Sequence, residues 1–390
     1  MQRKTHRRVS QGLREHGFSL VEVMIGMLIG LIGIIVIFQV FQLSESRKRT
    51  TTSGSDAQIA GSVAMFALER DLRLGGFGFG AAASAAGGNL MGCNATVYDS
   101  LNPAVNIALR VAPVQITDGA AGAPDSITVL WGSSLTFSNF EIFNLSTDTT
   151  KLLAFRNGVD RGDLMLVGGP LAGGAVGCHT LEVSDNLNAD QRTLNHVPGG
   201  YLSKDGVTPK ISRYNNPAGP GMTFPGKGFV YNLGPYPRAN KWSIRNGKLT
   251  LEDLIHYLDA NGDAQNDWIE IAHGVLDLQA QYGFADPTGL IADNAWSAVS
   301  PLNAAGWSSV RAVRVAILTR SGEYEKDYVA PNPAWGCGNG VACTNFLMTN
   351  LDGTPGAAAP ALPVNDWHHY RYRVYETVIP FRNVIWGAAP

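Results

Sequence analysis

The hydrophobic pattern of this chain changes character twice. Residues 18 to 43, FSLVEVMIGMLIGLIGIIVIFQVFQL, form an apolar run whose one charge is Glu22. A helix rises 1.5 Å per residue, so a run of this length crosses a hydrocarbon core of about 30 Å. A membrane span is predicted there. Beyond the basic cluster Arg47-Lys48-Arg49, residues 56 to 74 (DAQIAGSVAMFALERDLRL) predict a second helical stretch with two apolar faces. Ile59, Val63 and Phe66 form one stripe, and Met65, Leu68 and Leu72 lie on roughly the opposite side. Two faces need two partners. A helix continuous with the span meets that need, with one face under its own globular domain and the other turned to neighbours. Leu74-Gly75-Gly76 ends the stretch, and GGFGFG after it reads as a flexible connector. That glycine run follows a helix rather than a strand, so the dinucleotide-loop reading fails.

From residue 109 onward the pattern becomes short β-rich runs separated by turn residues. The predicted strands are Leu109 to Ile116, Ser126 to Trp131, Leu164 to Val167, His179 to Val183, Val275 to Tyr282, Val310 to Thr319 and Tyr370 to Pro380, with a short helix over Leu251 to Leu258. One long helix followed by many strands argues for an α+β fold with mainly antiparallel sheet. All 20 prolines and 38 of the 45 glycines follow residue 74, which marks the main compositional boundary.

Charge orients the span. Residues 1 to 17 hold Arg3, Lys4, Arg7, Arg8, Arg14 and one acid, Glu15, for a net +4, whereas residues 44 to 56 are net +1. By the positive-inside rule the basic end is cytoplasmic and the large domain is exported. Removing residues 1 to 17 takes the formal charge from −2 to −6 (−2 minus +4). An acidic chain has no basic excess with which to hold a nucleic-acid backbone, so nucleic acid is not an expected partner. A cleavable secretory signal is also disfavoured, because the apolar run is too long and no small-x-small site follows it.

Glu22 is the anomaly. A carboxylate inside an apolar run costs about 2.5 to 3.5 kcal/mol near the helix centre and calls for a partner. Its setting, His16-Gly17-Phe18-Ser19-Leu20-Val21-Glu22 at the mouth of the span, resembles the prepilin motif of type IV pilins and type II secretion pseudopilins. In that family a membrane peptidase cuts after the Gly and methylates the new terminal Phe, and the Glu meets the terminal amine of a neighbouring subunit. The resemblance implies cleavage between Gly17 and Phe18, N-methylation of Phe18, and an assembly role for Glu22. His16 replaces the usual Lys or Arg, and no Pro interrupts the span. Gly26, Gly30 and Gly33 are candidates for softness or close helix packing instead.

Further along, LERDLRLGGFGFG followed by Gly92-Cys93, GDLMLV before Cys178, HGVLDLQAQYGF, VRAVRVAILTRS and the terminal RYRVYETVIPFRN are similar, in that order, to the PilW minor-pilin family, a relative of the type II secretion minor pseudopilin GspJ. The implied organisation is a leader over 1–17, a transmembrane and assembly helix over 18–43, its amphipathic continuation over 44–74 and an exported β-rich domain over 75–390. The resemblance implies an inner-membrane protein with a periplasmic domain that later enters the pilus. It also implies prepilin peptidase, other minor pilins, the major pilin and an inner-membrane assembly platform as partners. The expected function is type IV pilus assembly, in a priming or tip complex; the alternatives are a secretion pseudopilin or a pilus-tip adhesin.

Catalytic signatures are not evident: there is no Walker A, G-x-S-x-G, C-x-x-C or H-E-x-x-H. Asp366, His368 and His369 read as a polar loop, and an enzyme is not expected. Four cysteines suit an exported domain with two disulfides. Cys337 and Cys343 flank the tight GNGVA loop and are the first choice of pair, which leaves Cys93 with Cys178; a zinc site lacks the paired spacing. The loop Asp259, Asn261, Asp263, Asp267, Glu270 has oxygen ligands at EF-hand positions 1, 3, 5, 9 and 12, which suits calcium, although its glycine sits at position 4 rather than 6. No cofactor is expected to be required.

Overall fold

The computed structural model describes residues 17–80, 90–103, 107–135, 140–155, 158–184, 192–218, 223–260, 265–325, 327–329, 331–337, 343–348 and 366–385. Two compact units emerge, one ending at Thr52 and one starting at Ser53. A single helix, Leu20–Leu72, supplies residues to both. In the first unit its segment Leu20–Glu45 is long and apolar enough to cross a membrane, with its large apolar side chains exposed. A helix satisfies its backbone groups internally, as a hydrocarbon core demands. A Cβ added at Gly26, Gly30 or Gly33 meets nothing within 4 Å, so this chain's own packing does not require those glycines.

The second unit sets the rest of the helix against β-sheet. Ala57, Ala60, Ala64, Met65, Leu68 and Leu72 are buried, whereas Ile59, Val63 and Phe66 are exposed. The two faces separate as the periodicity predicts. Small residues at the first three buried positions let the strands come close. A Cβ on Gly61 would lie 2.0 Å from the Tyr375 ring, whose hydroxyl donates to the Gln58 carbonyl at 2.9 Å.

Three larger sheets build the head. The eight-stranded sheet runs, in spatial order, Ile107–Arg110, Asn94–Val97, Val176–Glu182, Leu164–Pro170, Gly228–Gly234, Glu141–Ser146, Thr150–Leu153 and Thr193–Asn195. Among the described residues its one parallel pairing joins Asn94–Val97 to Val176–Glu182. The five-stranded sheet runs Ile269–His273, Lys248–Asp253, Arg238–Arg245, Ser126–Trp131, Val114–Thr117, and the four-stranded sheet runs Ile291–Ser297, Val275–Ala285, Val310–Arg320, Tyr372–Pro380. All pairings in these two are antiparallel. The main core joins Ala64, Met65, Leu68 and Leu72 of the helix to residues of all three sheets, including Leu164, Trp242 and Ile317. Strand Val310–Arg320 shows the two-residue period plainly: Val313, Val315 and Ile317 enter this core, while Ala316 and Leu318 enter a separate cluster with Trp335 and Phe346.

Three local expectations need correction. The run Leu109 to Ile116 is two strands, Ile107–Arg110 and Val114–Thr117, in different sheets. Pro113 lies between them and has no N–H to continue a ladder. The helix expected over Leu251 to Leu258 is not formed. Its first residues belong to strand Lys248–Asp253, and Asp253 Oδ1 then accepts the Ile255 amide at 3.1 Å, which holds a bend. The GGFGFG segment is no loose connector either. Gly76 N–H donates to the Leu130 carbonyl at 2.9 Å, Gly132 N–H donates to the Phe77 carbonyl at 2.7 Å, and Phe79 is buried.

Candidate functional site

Chain geometry sets the start of the helix. Gly17, Phe18 and Ser19 are non-helical and exposed, and the helix opens at Leu20. Ser19 therefore occupies the N-cap position and Glu22 the third helical one. The Glu22 carboxylate accepts the Ser19 amide at 3.2 Å, which is one half of a capping box. The peptide bond after Gly17 stands outside the helix, open to solvent on a residue without a side chain. Cutting there would leave an amine on Phe18, one residue from the amide that Glu22 already holds. Near neutral pH such an amine is largely charged, and both it and the helix N-terminus favour a carboxylate at this place.

At the other end of the helix lies a second carboxylate that the sequence reading missed. Asp71 is buried between sheet and helix. Its Oδ1 accepts Trp131 Nε1 at 2.7 Å and Asn240 Nδ2 at 3.0 Å, and its Oδ2 accepts Trp242 Nε1 at 2.6 Å. Burial raises the Asp71 carboxyl above its usual range, against the lowering effect of the three hydrogen bonds. The signal was present: Asp71 falls in phase with the buried positions Leu68 and Leu72, where an acid needs donors. With Thr319 Oγ1 donating to the Ala57 carbonyl at 3.1 Å, polar contacts fix both ends of the helix's buried face. The face with Ile59, Val63 and Phe66 stays open.

The cysteines form two disulfides, Cys93–Cys178 with Cα atoms 6.3 Å apart and Cys337–Cys343 with Cα atoms 4.4 Å apart. The first stitches the strand Asn94–Val97 to its parallel neighbour, and the second closes a loop of the head. Of the calcium candidates, Asn261 and Asp263 lie outside the described residues. Asp267 accepts the Ala260 amide at 2.7 Å, and Glu270 pairs with Lys248 at 2.7 Å, so both carboxylates are engaged. His368 and His369 lie in a one-turn helix, Asp366–His369, among aromatic rings, with His369 stacked on Tyr324 at 4.6 Å.

A match to the Prokaryotic N-terminal methylation motif covers residues 13–38, and a match to Type IV Pilus-assembly protein W covers residues 243–383. Together the two matches support a prepilin-like minor pilin of the PilW type. The first match encloses Gly17, Phe18 and Glu22. The second begins inside strand Arg238–Arg245 and takes in the whole four-stranded sheet and the Cys337–Cys343 loop. The eight-stranded sheet of this minor pilin lies outside both matches. No curated protein and no solved structure matches the chain. The matches support a role in type IV pilus assembly and imply prepilin processing and interaction with other pilus components, and the apolar N-terminal helix fits membrane anchoring.

Proposed function

We propose that this minor pilin is cut between Gly17 and Phe18 by prepilin peptidase, waits in the inner membrane with its head in the periplasm, and then joins other minor pilins in a complex that primes or caps the fibre. In this reading Phe18 carries the N-methyl group and Glu22 meets the terminal amine of the next subunit, so the one charge in the apolar run is neutralised on assembly. The inner-membrane platform and the major pilin are its further partners. It acts by assembly and carries no catalysis.

The observation that carries this reading is the exposed stripe Ile59, Val63 and Phe66 on a helix whose opposite face is locked to its own head. Beside the stripe, Asp56, Ile59, Ala60 and Val63 border a groove of about 180 Å³ whose far wall is Ile271 to His273, in the edge strand of the five-stranded sheet. An apolar helix face beside an unpaired sheet edge suits a second pilin-like helix. A head of 316 residues after residue 74 is hard to repeat in a tightly packed shaft, which favours a rare initiating subunit. The test is Phe66→Glu: the head keeps its melting temperature while surface pili and co-purification with other minor pilins are lost. Unchanged piliation and unchanged co-purification contradict the proposal.

A further inference from the structure

Among the described residues the three larger sheets end in six outer strands, and five of them are guarded against further pairing. Ile107–Arg110 and Val114–Thr117 have four residues each and Thr193–Asn195 has three. Ile269–His273 and Ile291–Ser297 meet their inner neighbours through register shifts, and such bulges twist an edge away from a newcomer. Tyr372–Pro380 has neither device. It is the outer strand of the four-stranded sheet, nine residues long, and it pairs with Val310–Arg320 from Tyr372 opposite Arg320 to Pro380 opposite Ala312 without a shift.

The ladder decides which backbone groups face out. Ser321 N–H donates to the Arg371 carbonyl and Phe381 N–H to the Arg311 carbonyl, each at 2.8 Å. These bonds continue the register at its two ends, and along an antiparallel pair alternate residues bond inward. The odd-numbered residues therefore bond to Val310–Arg320, while Val374, Glu376 and Val378 turn N–H and C=O to the open side, where no described group meets them. The side chains differ by face. Val378 is 51% exposed, and on the opposite face Arg373 is exposed with no described carboxylate paired to it. Glu376 is already engaged, accepting Gly336 N–H at 3.0 Å and lying 3.8 Å from Arg314. The same strand carries the long helix: the Tyr375 hydroxyl donates to the Gln58 carbonyl at 2.9 Å, and its ring packs on Gly61. A subunit docked along that helix holds its own head close to this one.

We propose that the open edge from Val374 to Val378 takes an extended strand from the head of another pilin-like subunit, one with an acidic residue against Arg373 and an apolar residue against Val378. The proposal rests on the assembly reading above and adds to it the place where two heads join. Main-chain bonds to the three outward residues hold an incoming strand whatever its sequence, and the two side-chain positions, on opposite faces, select its register. Pro380 has no N–H and ends the added ladder on its side.

The test is amide hydrogen exchange over Tyr372–Pro380, read by mass spectrometry on the full chain alone in detergent micelles and on the complex that it forms with other minor pilins. Alone, the amides of Arg373, Tyr375, Thr377 and Ile379 are protected by the ladder, and those of Val374, Glu376 and Val378 exchange fast. In the complex these three are expected to slow by at least about 100-fold. Val378→Pro removes one outward N–H where an edge strand tolerates proline, and Arg373→Glu reverses the free charge; each is expected to lower the yield of complex by at least about tenfold. If the proline variant fails to fold, Arg373→Glu and the native exchange pattern still decide. A complex that Phe66→Glu abolishes but in which the three amides stay fast, or undiminished yield with Arg373→Glu, overturns strand addition and leaves the assembly reading standing. A native chain that brings down no other minor pilin overturns both.

Discussion

Trp242 and Asp71 stand 2.6 Å apart, indole Nε1 to carboxylate Oδ2, where the long helix meets the five-stranded sheet. The other oxygen of Asp71 takes Trp131 and Asn240. These donors sit on two paired strands, in which Asn240 lies opposite Val129 and Trp242 opposite Ile127. One helix carboxylate thereby ties the helix to the register of both strands, and a slip of one residue would turn the indoles to the other face. The helix is held on one side and left free on the other.

Removing the acceptor should therefore be costly. Asp71→Ala strands three donors, each worth about 1 to 3 kcal/mol when buried unsatisfied, so a loss of about 3 kcal/mol or more is expected in denaturant unfolding. Phe66→Ala, on the open face of the same helix, is expected to change stability by about 0.5 kcal/mol or less.

How much of this was legible in the residues follows the same contrast. Helix periodicity separated Ile59, Val63 and Phe66 from Leu68 and Leu72 because both patterns are local. The strand Ser126–Trp131 was legible for the same reason, with alternating residues bounded by Pro124 and Gly132. Leu109 to Ile116 misled because a change of sheet at Pro113 is a tertiary event. At Leu251 to Leu258 a strand ends in a bend that Asp253 holds, and local apolar spacing resembles a helix there. The cleavage motif was legible as a pattern, but the node at Asp71 was not, because Trp131, Asn240 and Trp242 are far from it in sequence and only strand pairing brings them together.

Acidification separates opposing contributions. His196 is held at about 3, below its usual value near 6.5, so the folded state resists a proton that the unfolded chain accepts. Its contribution is full above about 6.5 and is lost as pH falls toward about 3, by up to about 1.4 kcal/mol per pH unit. Asp125 and Asp277, raised by burial to about 7 and about 6, run the other way. Their contribution is full below about 3.8 and is lost as pH rises through those values. Lys151 Nζ lies 3.2 Å from His196 Nε2, and His196→Gln, whose amide oxygen can still accept from it, is expected to gain stability relative to the native chain as pH is lowered. Parallel stability curves for the two proteins would exclude this assignment.

The two disulfides should differ in worth. Cys93–Cys178 closes a separation of 85 residues and Cys337–Cys343 one of 6. Loop-closure entropy gives about 4.6 and about 2.2 kcal/mol respectively. Paired serine variants of each, compared by thermal melting, are expected to rank in that order.

Calcium remains a separate expectation for the loop from Asp259 to Glu270. A bound ion would have to draw Glu270 from Lys248, so millimolar calcium should raise the melting temperature of the native chain and leave Asp263→Ala unmoved. No shift in the native chain removes the site.

The central claim is that the cleaved N-terminus and the open helix face join this chain to other pilin-like subunits. The most direct measurement places a photo-crosslinking residue at Val63 in the assembled machine and reads the products by mass spectrometry. The account predicts crosslinks to the N-terminal helices of other minor pilins, in molecules whose first residue is methylated Phe18. A chain that keeps residues 1 to 17, or crosslinks that never reach another pilin-like helix, would contradict it.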